Sequence, residues 1–229
     1  DYARSKGIQV INTPASSSQS VAEFVMAHLF SIVRHLHNAN RTMPLEGDSN
    51  FNGLKKAYAK AIELRGKTMG IIGFGRIGIE VIREAIGLGM NILVYDKFPA
   101  THDIELEFFD GQKVNFTITS VDFDEVITKA DFISLHVPAQ NGYILGEKEF
   151  AKMKDGVIVI NTARGGVVDE KALVDAIDAG KVAGAALDVF ENEPTPEMGL
   201  LMTEALSLSP HIAGSTNEAQ DRIGTELAA

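Results

Sequence analysis

The stretch Thr68-Met69-Gly70-Ile71-Ile72-Gly73-Phe74-Gly75-Arg76-Ile77-Gly78 decides the fold of this chain. It runs from a short apolar segment into the pattern G-x-G-x-x-G, after which apolar residues recur at helical spacing. Asp96 ends the next apolar segment, 18 residues past Gly78. A glycine-rich turn between a strand and a helix, with an acidic residue about 20 positions further on, is typical of a dinucleotide-binding βαβ unit. We therefore predict that this turn binds a cofactor pyrophosphate.

The residues of this turn have separate physical tasks. Gly73 permits the tight turn, Gly75 lets the backbone approach a pyrophosphate, and Gly78 lets the helix pack close to the strand. Arg76 and Ile77 lie at the helix N-terminus, whose free amides and dipole attract an anion. We expect all five residues to bind the cofactor.

Asp96 predicts which nicotinamide cofactor is bound. Its carboxylate would accept hydrogen bonds from the adenosine ribose hydroxyls, and its negative charge would repel a 2′-phosphate. We therefore expect NAD rather than NADP. Lys97, the next residue, is interpreted as a surface lysine.

Downstream of Lys67, short apolar runs alternate with helical patterns, which predicts a parallel sheet with helices on both faces. Val157–Ile160 is apolar at every position, as a strand covered on both faces should be. The fold class is therefore α/β, a Rossmann-type doubly wound parallel sheet with right-handed crossovers. The predicted strands are 68–73, 91–96, 132–137, 157–162, 182–189 and 206–209, and the predicted helices are 76–88, 122–129, 147–153 and 170–179.

Residues 104–118 interrupt this alternation and are predicted to form an inserted β-hairpin. A three-residue loop at 109–111 pairs Leu106 with Val114 and brings further apolar residues opposite each other. A two-residue loop would oppose apolar and polar side chains instead. We therefore predict the three-residue loop, with Gly111 in the left-handed conformation.

Residues 20–62 are predicted to form a helical arm. Ser20 and Glu23 match a capping box, and apolar residues recur at helical spacing behind them. A proline and a glycine predict a loop at 41–52, and a second helix is predicted at 54–64.

The composition excludes several classes of function. The 229 residues include no cysteine, so disulfides, a thiolate nucleophile and cysteine-ligated metals are excluded. The formal net charge of −10 disfavours binding to nucleic acid or to an anionic membrane surface. The sequence contains no apolar run of roughly 20 residues, the length that a membrane-spanning helix needs. No signal peptide is apparent. The lack of cysteine indicates a reducing compartment, so we expect a cytoplasmic protein.

Three polar segments follow predicted strands and should meet at the edge of the sheet where ligands bind. Arg164 lies in the first segment, where a guanidinium suits a substrate carboxylate or a polarised carbonyl, although a salt bridge between elements is the alternative. Glu193 and His211 lie in the other two. A histidine oriented by a carboxylate is an acid–base pair for hydroxyl–carbonyl chemistry. Because 18 residues separate the two, the sequence does not establish that they touch.

The other histidines are weaker candidates for a functional role. His28, His35 and His37 are expected on a helix surface or at an interface, and His102 lies in the inserted hairpin. We predict no metal site. His136 ends a strand at the binding edge, where a cofactor contact and a packing role are equally compatible with the sequence.

These motifs occur together in a fixed order along the chain. They are residues 20–23, 70–78 with Asp96, 136–138, 161–166, 168–170, 185–190 with Glu193 and Pro194, and 210–216. On these motifs the chain resembles the D-isomer-specific 2-hydroxyacid dehydrogenase family over essentially its whole length. The resemblance implies NAD-dependent oxidation of a 2-hydroxyacid, with a hydride passing from the substrate C2 to the nicotinamide.

The resemblance also implies roles for individual residues. Arg164 would bind and polarise the substrate, Glu193 would support the histidine, and His211 would exchange the substrate proton. The implied cofactor contacts are Thr162, Ala163 and Asp188 at the nicotinamide end, Val137 and Pro138 at the adenosine end, and His136 and Gly214. Family members are usually dimers, which implies a homodimer through the 20–62 arm. The resemblance also implies a small-molecule substrate.

The resemblance implies three segments of unequal length along the chain. Residues 15–216 would be the NAD-binding domain, 1–14 the end of a substrate domain, and 217–229 the start of a helix that returns to it. Within the first segment, Gly7 is expected to end a helix, and residues 8–11 are expected to form a strand. Most of the substrate domain would lie outside this chain.

Within the family, residues 214–220 indicate a substrate. Residues 214–220 most resemble the members that oxidise 3-phosphoglycerate in serine biosynthesis. A glyoxylate/hydroxypyruvate reductase or a D-lactate-type dehydrogenase is an alternative within the family. An NAD-sensing transcriptional corepressor with the same fold and triad is an alternative of another class.

Overall fold

A computed structural model describes residues 2–10, 13 and 15–228. The helices are α1 Tyr2–Ser5, α2 Ser18–Val33, α3 Leu36–Glu46, α4 Phe51–Ala57, α5 Arg76–Gly87, α6 Phe123–Lys129, α7 Glu147–Lys152, α8 Glu170–Asp178, α9 Met198–Leu201 and α10 Asn217–Ala228. The strands are β1 Thr68–Ile72, β2 Asn91–Tyr95, β3 Thr101–Glu107, β4 Lys113–Thr119, β5 Phe132–Leu135, β6 Val157–Asn161, β7 Val182–Leu187 and β8 Leu206–Leu208.

Six of these strands form one parallel sheet in the order β2-β1-β5-β6-β7-β8. The predicted doubly wound fold is confirmed, and every strand of this sheet ends one or two residues before its predicted end. The direction of winding reverses between β1 and β5. A doubly wound sheet opens its ligand crevice at such a reversal, beyond the carboxyl ends of the strands.

Helices cover both faces of the sheet and explain the apolar strands. On one face, Leu29 of α2 and Val81 of α5 are fully buried together with Ile71 of β1. On the other face, Ile127 of α6 and Leu173 of α8 are fully buried. Because helices cover both faces of the sheet, its central strands are almost entirely apolar, with Ser134 of β5 and Asn161 of β6 as buried polar exceptions.

β3 and β4 form a separate antiparallel hairpin. Leu106 pairs with Val114 and Ile104 with Phe116, which is the register predicted from the three-residue loop. Gly111 has a φ of +81°, as predicted. The strands of the hairpin begin three residues earlier and end one residue later than the predicted bounds.

The helical arm differs from its prediction in three places. The capping box is wrong: α2 begins at Ser18, and Ser20 Oγ lies 2.8 Å from Thr216 Oγ1 instead of capping the helix. The loop predicted at 41–52 is shorter than expected: α3 continues through Pro44, which removes only one hydrogen bond near the end of the helix, and the loop is confined to residues 47–50. The helix predicted at 54–64 ends at Ala57.

The segment before the arm is only partly as expected. Gly7 has a φ of +71° and follows α1, which agrees with its expected role as a helix stop. Residues 8–10 do not form a strand. The remaining predictions there and at the C-terminus that concern Asp1, Ile11, Asn12, Pro14 and Ala229 lie outside the described residues. Among residues 2–10, 13 and 15–228, no helix has the length and apolar character needed to cross a membrane.

Candidate cofactor and catalytic site

The turn between β1 and α5 has the close approaches that a phosphate-binding turn requires. Gly73 has a φ of +110°, and a Cβ added there would lie 2.3 Å from the carbonyl oxygen of His136. A Cβ added at Gly78 would lie 2.1 Å from the carbonyl oxygen of Gly73. A Cβ added at Gly75 would meet no atom within 4 Å, so there is open space where a ligand can approach the backbone. α5 starts at Arg76 without a side-chain cap, which leaves its first amides for an anion.

A cavity of about 660 Å³ lies beside this turn. Asp96 lines it, and its two carboxylate oxygens accept hydrogen bonds from the amides of Phe74 at 2.8 Å and Phe98 at 3.0 Å. These two bonds fix the carboxylate between the turn and the end of β2. Val137 and Pro138 line the same cavity, which is where the sequence predicted the adenosine end of the cofactor.

Two buried polar atoms near the crevice have no hydrogen-bond partner among the described residues, His136 Nδ1 and Thr162 Oγ1. The other His136 ring nitrogen lies 2.8 Å from Ser134 Oγ. Burial lowers the pKa of His136 to about 3, so the ring is neutral. Because a buried polar atom without a partner costs roughly 1–3 kcal/mol, both atoms fit a site that a polar ligand completes. Together with the open space at Gly75, they fit NAD.

The turn after β6 carries Arg164. Asn161 shapes this turn, since its side-chain amide donates to the Arg164 carbonyl oxygen at 3.1 Å and its Oδ1 accepts the Ala163 amide at 3.0 Å. Gly165 packs against the segment after β7 so closely that an added Cβ would lie 1.8 Å from the carbonyl oxygen of Phe190. The loop with Arg164 and the segment that leads to Glu193 are therefore in direct backbone contact.

Glu193 and His211 form the hydrogen bond that the sequence could not establish, with Nδ1 and Oε2 2.9 Å apart. The other oxygen of Glu193 accepts the Phe190 amide at 3.0 Å. The hydrogen bond from His211, the Phe190 amide and the charge of Arg164 hold the pKa of Glu193 below its usual value. The carboxylate is therefore ionised, Nδ1 carries the hydrogen, and Nε2 is the nitrogen left to exchange a proton.

Asp188 holds the loop around His211. His211 has a φ of +57°, which is uncommon for a residue other than glycine. The amides of Ile212 and Ala213 donate to the two oxygens of Asp188 at 2.9 and 2.8 Å, and Ser209 Oγ donates to the first at 2.6 Å. Asp188 is only 1% exposed. Its predicted nicotinamide contact stays a prediction, and its observed contacts are with this loop.

The remaining predicted residues lie around the same edge. Ile77 is in the first turn of α5, and Gly214 follows the His211 loop, where an added Cβ would lie 3.3 Å from Ser17 Cβ. The sequence interpretation missed Asn161 and Ser209. A polar residue at the end of the apolar strand β6 was a signal for Asn161, whereas nothing marked Ser209. Within the described part of the chain, no cluster of three or more histidine or acidic side chains could hold a metal ion.

These features define the class of protein. The Rossmann sheet combines the glycine turn, an acidic residue after β2 and a hydrogen-bonded histidine–glutamate pair, which together are typical of a nicotinamide-dinucleotide domain equipped for hydride chemistry. The family profile described as "D-isomer specific 2-hydroxyacid dehydrogenase, NAD binding domain" matches residues 26–213. The chain belongs to this family, whose members are NAD-dependent oxidoreductases that act on CH–OH groups.

Individual relatives support the same assignment. Hydroxypyruvate reductase of Thermotoga maritima is 44% identical over 230 residues, which cover 98% of this chain and 69% of that protein. D-3-phosphoglycerate dehydrogenase of Archaeoglobus fulgidus is 42% identical over 229 residues, which cover 99% of this chain and 41% of that protein. D-lactate dehydrogenase of Aquifex aeolicus, crystallised with NAD and lactic acid, matches with a TM-score of 0.74 and 32% identity over 99% of this chain and 69% of that one. The chain therefore spans only part of the length of each.

Proposed function

We propose that the protein catalyses the NAD-dependent oxidation of a D-2-hydroxyacid, with 3-phosphoglycerate as the favoured substrate and 3-phosphohydroxypyruvate as the product. The observation that carries the reaction type is the hydrogen bond between His211 and Glu193 beside Arg164 at the carboxyl edge of the sheet. The substrate is supported by residues 214–220 and by the 42% identity to the Archaeoglobus fulgidus enzyme. The product is an intermediate of serine biosynthesis.

Arg164, His211 and Glu193 have separate roles in the proposed reaction. Arg164 binds the substrate carboxylate or polarises its carbonyl through its planar guanidinium. His211 takes the proton of the C2 hydroxyl at Nε2, while the ionised Glu193 stabilises the imidazolium that forms. NAD, when bound, supplies the hydride acceptor. In the reverse direction, His211 returns the proton to the carbonyl oxygen.

Glycerate–hydroxypyruvate interconversion is a second candidate because the Thermotoga maritima hydroxypyruvate reductase is 44% identical to this chain. The two substrates share the carboxylate and the C2 hydroxyl and differ in a phosphate. Arg164 would bind the carboxylate or polarise the carbonyl of both, and His211 would exchange the proton of the C2 hydroxyl of both. The choice between them therefore depends on groups that recognise the phosphate.

A homodimer through the helical arm is also part of the proposal. Several large apolar side chains of the arm face solvent, namely Phe30, Leu36, Met43, Leu45 and Phe51. Exposed apolar side chains in such number are typical of a protein–protein interface. A cytoplasmic location is proposed because the chain contains no cysteine.

A substrate panel on the full-length protein tests this function. We expect kcat/KM with NAD⁺ to be highest for 3-phosphoglycerate, compared with D-glycerate and D-lactate. His211→Asn should abolish turnover and leave the NAD dissociation constant within about twofold, because His211 exchanges the substrate proton rather than holding the cofactor. Higher kcat/KM for D-glycerate would assign the second candidate, and unchanged turnover in His211→Asn would contradict the mechanism.

A further inference from the structure

A buried row of hydrogen bonds runs from helix α2 to the loop that carries His211. His28 of α2 is 7% exposed, and its Nδ1 and Nε2 lie 2.8 Å from Ser207 Oγ and 3.0 Å from Ser209 Oγ. Ser209 Oγ in turn donates to Asp188 Oδ1 at 2.6 Å. This burial corrects the expectation that His28 lies on a helix surface or at an interface, and the reaction described above makes no use of the side chain.

The direction of these hydrogen bonds follows from the number of hydrogens available. Ser209 has one hydroxyl hydrogen, and it goes to the Asp188 carboxylate, so Ser209 Oγ must accept from His28 Nε2. Burial lowers the pKa of His28 against the opposing charge of Asp188, so the ring is neutral and carries one hydrogen. Nδ1 is then the acceptor for the hydroxyl of Ser207. One tautomer satisfies every member of the row.

The ring of His28 is also fixed by packing. Phe24, one turn earlier on α2, contacts it edge-to-face with the ring centroids 4.7 Å apart. A fixed ring with its Nε2–H aimed at Ser209 holds that hydroxyl in the rotamer that donates to Asp188. Without His28, the Ser209 hydroxyl would have no fixed donor and could rotate away from the carboxylate.

We propose that His28 is a positioning residue: acting through Ser209 and Asp188, it holds the amides of Ile212 and Ala213 and so maintains the left-handed backbone at His211. The inference rests on the proposed function for its catalytic consequence. His28 touches neither substrate nor cofactor in this scheme. The competing explanation is that His28 only fills space between α2 and β8, in which case an apolar side chain of similar size would serve equally well.

The test compares His28→Leu with His28→Gln in the full-length protein. Leucine fills the space without hydrogen bonds, whereas glutamine keeps one donor and one acceptor. We expect His28→Leu to lower kcat about tenfold, to leave KM for NAD within twofold, and to speed amide hydrogen exchange at Ile212 and Ala213 by about tenfold. His28→Gln should recover most of both losses.

Single serine variants separate the two branches of the row. Ser209→Ala should repeat the faster exchange at Ile212 and Ala213, whereas Ser207→Ala should not, because its hydroxyl leads away from Asp188. His37→Leu is the matched control, since the ring nitrogens of His37 lie 3.3 and 3.4 Å from the backbone carbonyl oxygens of Ser31 and Glu204 and make no hydrogen bond to Ser207 or Ser209. If His28→Leu does not fold, Ser209→Ala decides the test.

Two results would overturn the proposal. One is unchanged amide exchange in both His28→Leu and Ser209→Ala, and the other is faster exchange with an unchanged kcat. Exchange is measured without substrate, so it remains informative if no 2-hydroxyacid is oxidised. An inactive wild-type protein whose exchange at Ile212 and Ala213 still depends on His28 would contradict the proposed function and leave the positioning contact standing.

Discussion

Gly165→Ala tests whether the loop with Arg164 must contact the segment that leads to Glu193. The added Cβ would lie 1.8 Å from the carbonyl oxygen of Phe190, 2.5 Å from its carbonyl carbon and 3.1 Å from the amide nitrogen of Glu191. All three are backbone atoms, so no change of rotamer relieves the overlap. Real Cβ contacts are essentially never shorter than 3.0 Å, so the two segments must move apart by roughly 1 Å.

The expected effect is larger on catalysis than on stability. Displacing an active-site group by about 1 Å lowers a rate by about 100-fold, so we expect kcat to fall by that factor. Overpacking of a close contact costs roughly 1–3 kcal/mol of unfolding free energy. The NAD dissociation constant should change less than kcat, because the glycine turn at Gly73 follows β1, whereas Gly165 follows β6.

Steady-state kinetics of the full-length protein and denaturant unfolding measure these two effects. Gly87→Ala is the control, since a Cβ there meets no atom within 4 Å and alanine is the better helix former. It should keep full kcat and lose no stability. If Gly165→Ala behaves like Gly87→Ala in both assays, the contact between the two loops does not position Arg164 and the reasoning fails.

Three further substitutions give separate tests. Burial and the charge of Glu23 raise the pKa of Glu84 from 4.5 to about 7. The folded protein therefore holds the proton more tightly than the unfolded chain, and the free energy of unfolding falls as the pH rises from 4.5 to about 7. Glu84→Gln should therefore gain about 1 kcal/mol at pH 8, after allowance for solvent screening of a half-buried group, and nothing at pH 4, as measured by denaturant unfolding. Gly78→Ala, whose Cβ would lie 2.1 Å from the Gly73 carbonyl oxygen, should weaken NAD binding at least tenfold in calorimetry. Glu193→Gln should lower kcat about 100-fold and leave NAD affinity unchanged, because a neutral amide does not stabilise an imidazolium; equal kcat would remove Glu193 from the mechanism.

The parts of the fold with strong local signals were predictable from the sequence. The apolar runs predicted all six strands of the sheet because its central strands are covered on both faces, and the turn before α5 is specified by its own glycines. The hairpin register followed from matching apolar residues across a loop with Gly111 at the left-handed position. In these segments, local preference and tertiary structure agree.

The errors in the helical arm have two separate causes, a distant contact at Ser20 and a tolerated proline at Pro44. Ser20 has the sequence of a cap, but its hydroxyl is used 196 residues away by Thr216. Pro44 lies inside α3, two residues before the helix ends at Glu46, where its missing amide removes only one backbone hydrogen bond. The contact with Thr216 has no signal in the sequence around Ser20.

The sequence proposed candidate site residues one by one but not their arrangement. The polar segments after β6, β7 and β8 were expected to meet because parallel strands end at one edge. The 2.9 Å contact of Glu193 with His211 depends on how two loops close over that edge, which no spacing in the sequence specifies. The same is true of the hydrogen bonds that Asp188 makes with the amides after His211.

We propose that Asp96 makes this domain select NAD over NADP. Calorimetric titration of the chain with NAD⁺ and with NADP⁺, at one salt concentration, measures this directly. We predict at least tenfold tighter binding of NAD⁺, equivalent to about 1.4 kcal/mol, and a smaller difference in Asp96→Ala. Equal affinity for the two cofactors in the unmutated chain would contradict the claim.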